Sequence, residues 1–243
     1  MRMRTFAKRC AKEILRDPLT LAFGLGFPLV LLYLLSAMQA NIPVPMFAID
    51  TLTPGITVFG LSFMTLFSAT LVAKDRESAL LQRLYTTPLT GLDFILGYLL
   101  PLLPIAVGQT VICYLAAIPL GLTVSTGILC GIIGILPMAV FNIALGLLCG
   151  SVLGVKQVGG ICGALLTNLS AWLSGVWFDL RLVGGFFEKA ANVLPFVHAV
   201  EMEKALFCGD FAAAAPHVLP VVLYSIAVTA AAVLCFLGQM KKQ

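Results

Sequence analysis

Few side chains in this sequence are placed to do chemistry, and their spacing removes most of what they could do. Seven cysteines are present. Cys10, Cys113, Cys130, Cys149, Cys162 and Cys235 lie in the basic N-terminal segment or in apolar runs, and only Cys208 falls in a candidate loop. That distribution gives no disulfide framework. No C-x-x-C or H-E-x-x-H spacing exists to hold a metal ion. His198 and His217 are separated along the chain and read as interfacial residues rather than ligands. No nucleophile–base pair stands out to support a membrane-embedded enzyme, though Ser174 or His198 could be proposed. No G-x-x-x-x-G-K-[ST] run appears, so the chain cannot cradle ATP phosphates by itself. Inside the apolar runs the polar residues are Gln109, Asn142, Thr167, Asn168 and Ser170, with no buried acid–base pair. Asp50, Asp93 and Asp179 sit at the ends of those runs. A proton-coupled transporter usually needs carboxylates within the membrane, so this pattern argues against one. Gln109, Asn142, Thr167 and Asn168 are candidates to line a pathway for an apolar or amphipathic cargo, or to bond helix to helix.

The elements that must position these residues follow from composition. Hydrophobic residues make up 60% of the 243 and charged residues 11%. A soluble domain carries about 25% charge, and the interior of one domain of this length cannot hold so much apolar surface. The expected class is therefore an all-α polytopic membrane protein, a single transmembrane domain over residues 1–243. Six spans are expected at about 19–38, 54–73, 93–119, 128–153, 158–178 and 218–237. The first is long for a signal sequence and is expected to be retained. Pro101 and Pro104 should kink the third.

Orientation comes from the basic residues. Twelve Lys and Arg fall on one side of this arrangement, and only Arg181, Lys189 and Lys204 on the other. The positive-inside rule places both termini in the cytoplasm, and an even number of spans requires the same.

Three segments do not span. Residues 1–17 form an amphipathic helix suited to the inner leaflet, with Met3, Ala7, Cys10 and Ile14 on one face, broken at Asp17-Pro18. Residues 74–90 form a cytoplasmic segment. On a helix beginning near Asp75, Leu80, Leu81, Leu84 and Tyr85 share a face with Glu77 in its middle, and Arg76 and Arg83 lie at its side. A carboxylate centred in an apolar cytoplasmic face suits docking into a protein pocket. Thr90 and Asp93 are spaced to cap the third span. Residues 179–216 read as two short outer helices, broken at Gly184-Gly185 and Pro195, that dip into the outer leaflet and cap or gate it. Gly146, Gly150 and Gly154, and then Gly159 and Gly163, recur at four-residue spacing, which allows close helix approach within one subunit or between two.

The layout resembles the permeases of type-2 ATP-binding-cassette exporters, the group that includes bacterial drug, antibiotic and polysaccharide exporters. The residues that carry the likeness are the basic leading helix, RESALLQRLYTTPLT after the second span, and LSGVWFDL with ANVLPFVHAVE before the last. Asp179 departs from the pattern, which commonly has proline there. The resemblance implies that Arg76, Glu77, Leu80, Leu81, Arg83, Leu84 and Tyr85 contact a separate ATPase subunit, which holds ATP and Mg. It also implies a second permease copy, identical or not, around a central pathway in the plasma membrane (the bacterial inner membrane). The chain itself is then no enzyme, carries no cofactor, contacts membrane lipid and takes no nucleic acid. An ATP-independent secondary transporter or a membrane scaffold is the alternative.

Overall fold

The structure is a computed structural model that describes residues 2–78 and 90–240. Among the described residues every regular element is a helix. The leading helix α1 is Arg2–Leu15. Helix α2 runs through 18–39, with a wide π turn at Ala22–Gly26. Helix α3 is Ile49–Glu77, α4 is Gly91–Leu120 and α5 is Thr126–Val152. Helix α6 covers 155–173 and has a second π stretch at Gly159–Leu166. Three shorter helices follow, α7 (Leu180–Val183), α8 (Gly185–Val193) and α9 (Pro195–Cys208). The chain ends in α10, Phe211–Met240.

Among the described residues, five helices are long and apolar enough to cross a membrane: the Ala22–Gln39 part of α2, then α3, α4, α5 and α10. Helix α6, where the fifth span is expected, is not among them. It opens on Lys156 and Gln157, carries Asn168, and stops at Leu173 rather than at residue 178. The molecule is a multi-pass helical membrane protein. Its outward faces carry an apolar belt that includes Val30, Leu34, Leu115, Leu129, Leu223 and Leu234. In water such a belt would be a liability, and against hydrocarbon it is the solvated face.

Several boundaries differ from the sequence reading. Helix α3 continues past residue 73 to Glu77, so Asp75, Arg76 and Glu77 form its last turn instead of opening a new helix. Helix α4 begins at Gly91 rather than 93 and contains Pro101 and Pro104. Helix α10 begins at Phe211 rather than 218 and contains Pro216 and Pro220. Asp210 starts it, its carboxylate accepting the Ala213 N–H at 3.0 Å. At the head of α4, Asp93 N–H donates to the Thr90 hydroxyl (3.2 Å) and Thr90 N–H to the Asp93 carboxylate (2.9 Å), a reciprocal cap. The outer segment is three helices instead of two. The chain breaks at Gly184 and Gly185, both with positive φ (63° and 61°), and again before Pro195. A side chain at either glycine would be strained.

The core is centred on α3, which packs most extensively against α5. The close approach has a visible cause. A Cβ on Gly146 would lie 1.9 Å from the Ser68 hydroxyl, and one on Gly150 would lie 2.4 Å from the Ala69 carbonyl. The Ser68 hydroxyl, freed to reach across, donates to the Ile143 carbonyl at 3.0 Å. These two glycines therefore serve packing inside one subunit, whereas Gly159 meets nothing within 4 Å.

Helix α6 runs antiparallel to α3. Val155 N–H meets Glu77 at one end, Gly163 faces Leu66 midway, and the Trp177 ring just beyond α6 meets Phe59 at the other. At about 1.5 Å per residue, 155–173 reaches roughly 28 Å.

Both ends of the described chain meet at one end of the bundle, where Phe94 packs edge-on against Phe6 (5.8 Å) and stacked on Phe236 (6.4 Å). This end is rich in Lys and Arg and is called the basic end below. Helices α7 to α9 cover the opposite end.

Candidate transport site

Helices α2, α3 and α6 enclose a cleft of about 680 Å³. Its wall is aromatic because these helices present rings at helical spacing. Phe59 and Phe63 are one turn apart on α3, Phe27 faces them from α2, and Trp172 and Trp177 come from the end of α6 and just beyond. The rings pack edge to face: Phe27–Phe63 at 5.4 Å, Phe59–Phe63 at 6.1 Å and Phe59–Trp177 at 5.9 Å. Trp172 is half exposed, and the buried Trp177 indole N–H has no acceptor among the described residues. An aromatic wall with a few polar groups is what an apolar or amphipathic ligand requires.

The sequence reading offered four pathway residues, and two reach this cleft. Thr167 and Asn168 lie in its wall, Thr167 buried and Asn168 exposed with its amide donating to the Ala164 carbonyl. Gln109 and Asn142 are elsewhere, tying helices together. The Asn142 amide donates to the Met138 carbonyl at 2.9 Å, and its side-chain oxygen accepts from the Thr65 hydroxyl on α3 at 3.1 Å. Gln109 fills the space left by Gly60 and donates weakly to the Thr57 carbonyl at 3.4 Å, while its own oxygen has no partner among the described residues.

The basic end is built in the opposite manner, from charge. Asp75 is 1% exposed, yet Arg9 forks onto both of its oxygens at 2.5 Å and the Tyr98 hydroxyl donates at 2.8 Å. Arg9 also reaches Glu13 at 2.7 Å. Helix α1 is thus riveted to α3 and α4. Its buried face is Phe6, Cys10 and Ile14, and the Phe6 ring occupies the space that Gly97 leaves open. Met3 and Ala7, expected on that face, are only half buried. Burial pushes the Cys10 thiol up to about 12, so it stays protonated and unreactive.

The next two residues grip the turn between α5 and α6. Arg76 donates to the carbonyls of Ser151 and Leu153, the latter at 2.6 Å, and Gln239 donates to Ser151 as well. A cation on the last carbonyls of α5 suits the negative end of its dipole. The exposed Glu77 carboxylate accepts the Val155 N–H at 3.1 Å, at the positive end of α6. Leu80, Leu81, Arg83, Leu84 and Tyr85 lie outside the described residues.

Two buried carboxyls lie outside the spans in which the sequence reading found no acid–base pair. Asp75, in the last turn of α3, is paired with the part-exposed Arg9. Glu203 on α9 is fully buried, accepting only from the Tyr114 hydroxyl at 3.0 Å, while its second oxygen has no partner among the described residues. Desolvation raises its carboxyl well above the ordinary glutamate range. Asp75 followed a lysine at an apparent helix end, and Glu203 sat among charged neighbours, so neither looked buried in sequence. His198 and His217 are not apart either: their Nδ1 atoms are 2.9 Å apart, and His198 Nε2 donates to the Asn192 carbonyl at 2.9 Å. Among the described residues no group of three candidate ligands could hold a metal ion.

The sequence model of the ABC-2 type transporter family matches residues 1–207, from α1 through nearly all of α9. The chain belongs to the ABC-2 type transporter family. No curated protein matches it significantly. An ABC-2 membrane domain is the permease component of an ABC-type transporter, not its ATPase. The cleft and the grip on the α5–α6 turn are therefore features of an ABC-2 permease, and both lie within the matched residues.

Proposed function

We propose that this permease is the membrane half of an ATP-driven exporter, moving an amphipathic or hydrophobic substrate (a drug, a lipid-like molecule or a polysaccharide) through a pathway that includes the aromatic cleft. One observation carries the reading. Glu77 and Arg76 join the end of α3 to the turn that starts α6, and α3 and α6 are two of the three walls of the cleft. Force applied to the chain just after Glu77 is delivered to both walls together, which is the linkage an ATP-driven switch needs.

In this reading a separate ATPase subunit, holding ATP and Mg, docks at the basic end through the segment 74–90, with Arg76 and Glu77 at its base and Leu80, Leu81, Arg83, Leu84 and Tyr85 beyond. A second permease copy closes the open side of the cleft. The basic end faces the cytoplasm of a cell bounded by the plasma membrane, and α7 to α9 cover the outer side. Helix α6 acts as a sixth crossing. Support for that count comes from α1 and the end of α10 meeting at one end of the bundle, which an odd number of passes would not allow.

Co-reconstitution of the permease with its ATPase in liposomes tests the proposal. Glu77→Ala is expected to leave ATP hydrolysis in place while substrate movement per ATP falls about tenfold, the effect of roughly 1.4 kcal/mol. Fully coupled transport in that variant, or the absence of any ATPase that assembles with the chain, overturns it.

A further inference from the structure

A second cavity, of about 850 Å³, opens at the basic end between α1, the start of α2 and the last turns of α3. We propose that it binds the phosphate headgroup of an anionic phospholipid from the leaflet at that end, with an acyl chain lying along α3.

The charge pattern points to an anion. Lys8, Lys12, Arg16 and Lys74 line the cavity beside Arg9, and the acids among its lining residues are Glu13 and Asp17. Four of these seven charged groups are already engaged. Arg9 is committed to buried Asp75 and to Glu13, and Lys74 lies 3.8 Å from Asp17. The ion pairs formed among the described residues use neither Lys8, Lys12 nor Arg16. The cavity thus holds a surplus of positive charge on a helix that cannot drift, because Arg9 and the Phe6 ring anchor it to α3 and α4.

The walls point to a lipid rather than a soluble anion or a protein surface. Below the cations the lining is Ile14, Phe67, Thr70 and Leu71, and the last three belong to α3, a helix long and apolar enough to cross the membrane. A cation rim above an apolar wall that descends into the hydrocarbon matches a headgroup and its chain. A docked polypeptide would leave that descending wall unfilled. The site adjoins the aromatic cleft, Phe67 and Thr70 lining both, but its cations face the basic end and it does not depend on the exporter reading.

Native mass spectrometry of the full chain, exchanged into detergent with equal phosphatidylglycerol and phosphatidylcholine, tests this. The wild type is expected to retain phosphatidylglycerol selectively. A cation near an anionic surface contributes about fivefold in affinity, so Lys8→Gln, Lys12→Gln and Arg16→Gln together should weaken retention about 100-fold. The charge-keeping variant (Lys8→Arg, Lys12→Arg, Arg16→Lys) should retain it, which separates lost binding from lost folding. Lys189→Gln, a cation on α8 at the opposite end of the bundle, should change nothing. Equal retention of both lipids by the wild type overturns the proposal, as does undiminished retention by the triple Gln variant. Displacement of the lipid by millimolar inorganic phosphate would assign the site to a soluble anion and overturn it. Protection of Lys12 from amine labelling by the ATPase subunit but not by phosphatidylglycerol would assign it to a protein and overturn it too.

Discussion

The basic end and the aromatic cleft share α3 but treat polar groups in opposite ways. At the basic end each charge brought out of water meets a partner: Asp75 has Arg9 and Tyr98, and Arg76 and Glu77 have backbone groups of the α5–α6 turn. In the cleft, rings supply the surface and the Trp177 N–H is left unmatched among the described residues. A satisfied network fixes geometry, because moving any member exposes another. A wall of rings with spare hydrogen-bonding capacity can accept ligands of different shape. Within one helix the molecule therefore separates a part of fixed geometry from a part that can adapt.

The contrast is sharpest at Arg9. Arg9→Ala strands a buried carboxylate and should cost about 3–5 kcal/mol, read by thermal unfolding in detergent. Arg9→Met combined with Asp75→Asn should recover most of that loss. A fall of the same size in the double variant would mean that the pair acts by more than mutual neutralisation. Next in size, Gly146→Val drives a side chain into Ser68 and the Thr65 carbonyl and should cost about 1–3 kcal/mol by overpacking, with α3 and α5 forced apart.

Trp172→Ala tests the adaptable side of the contrast. Its ring is half exposed, so unfolding should shift by less than about 1 kcal/mol. Affinity for an aromatic ligand, measured by equilibrium binding, should fall about tenfold. A large stability loss without a binding loss would make the cleft a packing defect instead of a site.

Glu203→Gln carries a pH signature. The folded carboxyl has a raised pKa, so the folded state holds a proton that the unfolded chain releases once pH passes the ordinary glutamate range. Wild-type stability should therefore fall as pH rises above that range. The Gln variant should lack this slope and gain over wild type toward neutral pH. The smallest effect is chemical: exposed Cys208 should take up a maleimide readily, while Cys10, buried under α1, should react only on unfolding.

Much of the helical architecture was readable because hydrocarbon imposes one rule, long apolar runs, and because caps are local. The Thr90–Asp93 cap and the breaks at Gly184-Gly185 and Pro195 needed no tertiary information. Thr167 and Asn168 stood out as polar residues in an apolar run, and so did Gln109 and Asn142. Separating them required knowing which neighbour each one faces, which no period in the sequence records. Asp75 was read as the start of a new helix because polar residues usually end a span. Its burial depends on Arg9, remote in sequence, and a partner at that distance leaves no local trace. Glu203 and the His198–His217 contact were missed for the same reason.

The Asp75–Arg9 rivet also has a consequence for the order of assembly. Helix α1 leaves the ribosome ahead of α2 to α4, and Asp75 and Tyr98 emerge only after two further spanning segments have begun to insert. Until then Arg9 has no carboxylate to neutralise, and its guanidinium must stay hydrated at the membrane surface. The leading helix therefore waits outside while α2, α3 and the head of α4 are laid down, and it is latched afterwards. Its docking marks a hairpin already in place, so α1 finds its final neighbours only after the helices that follow it have begun to insert.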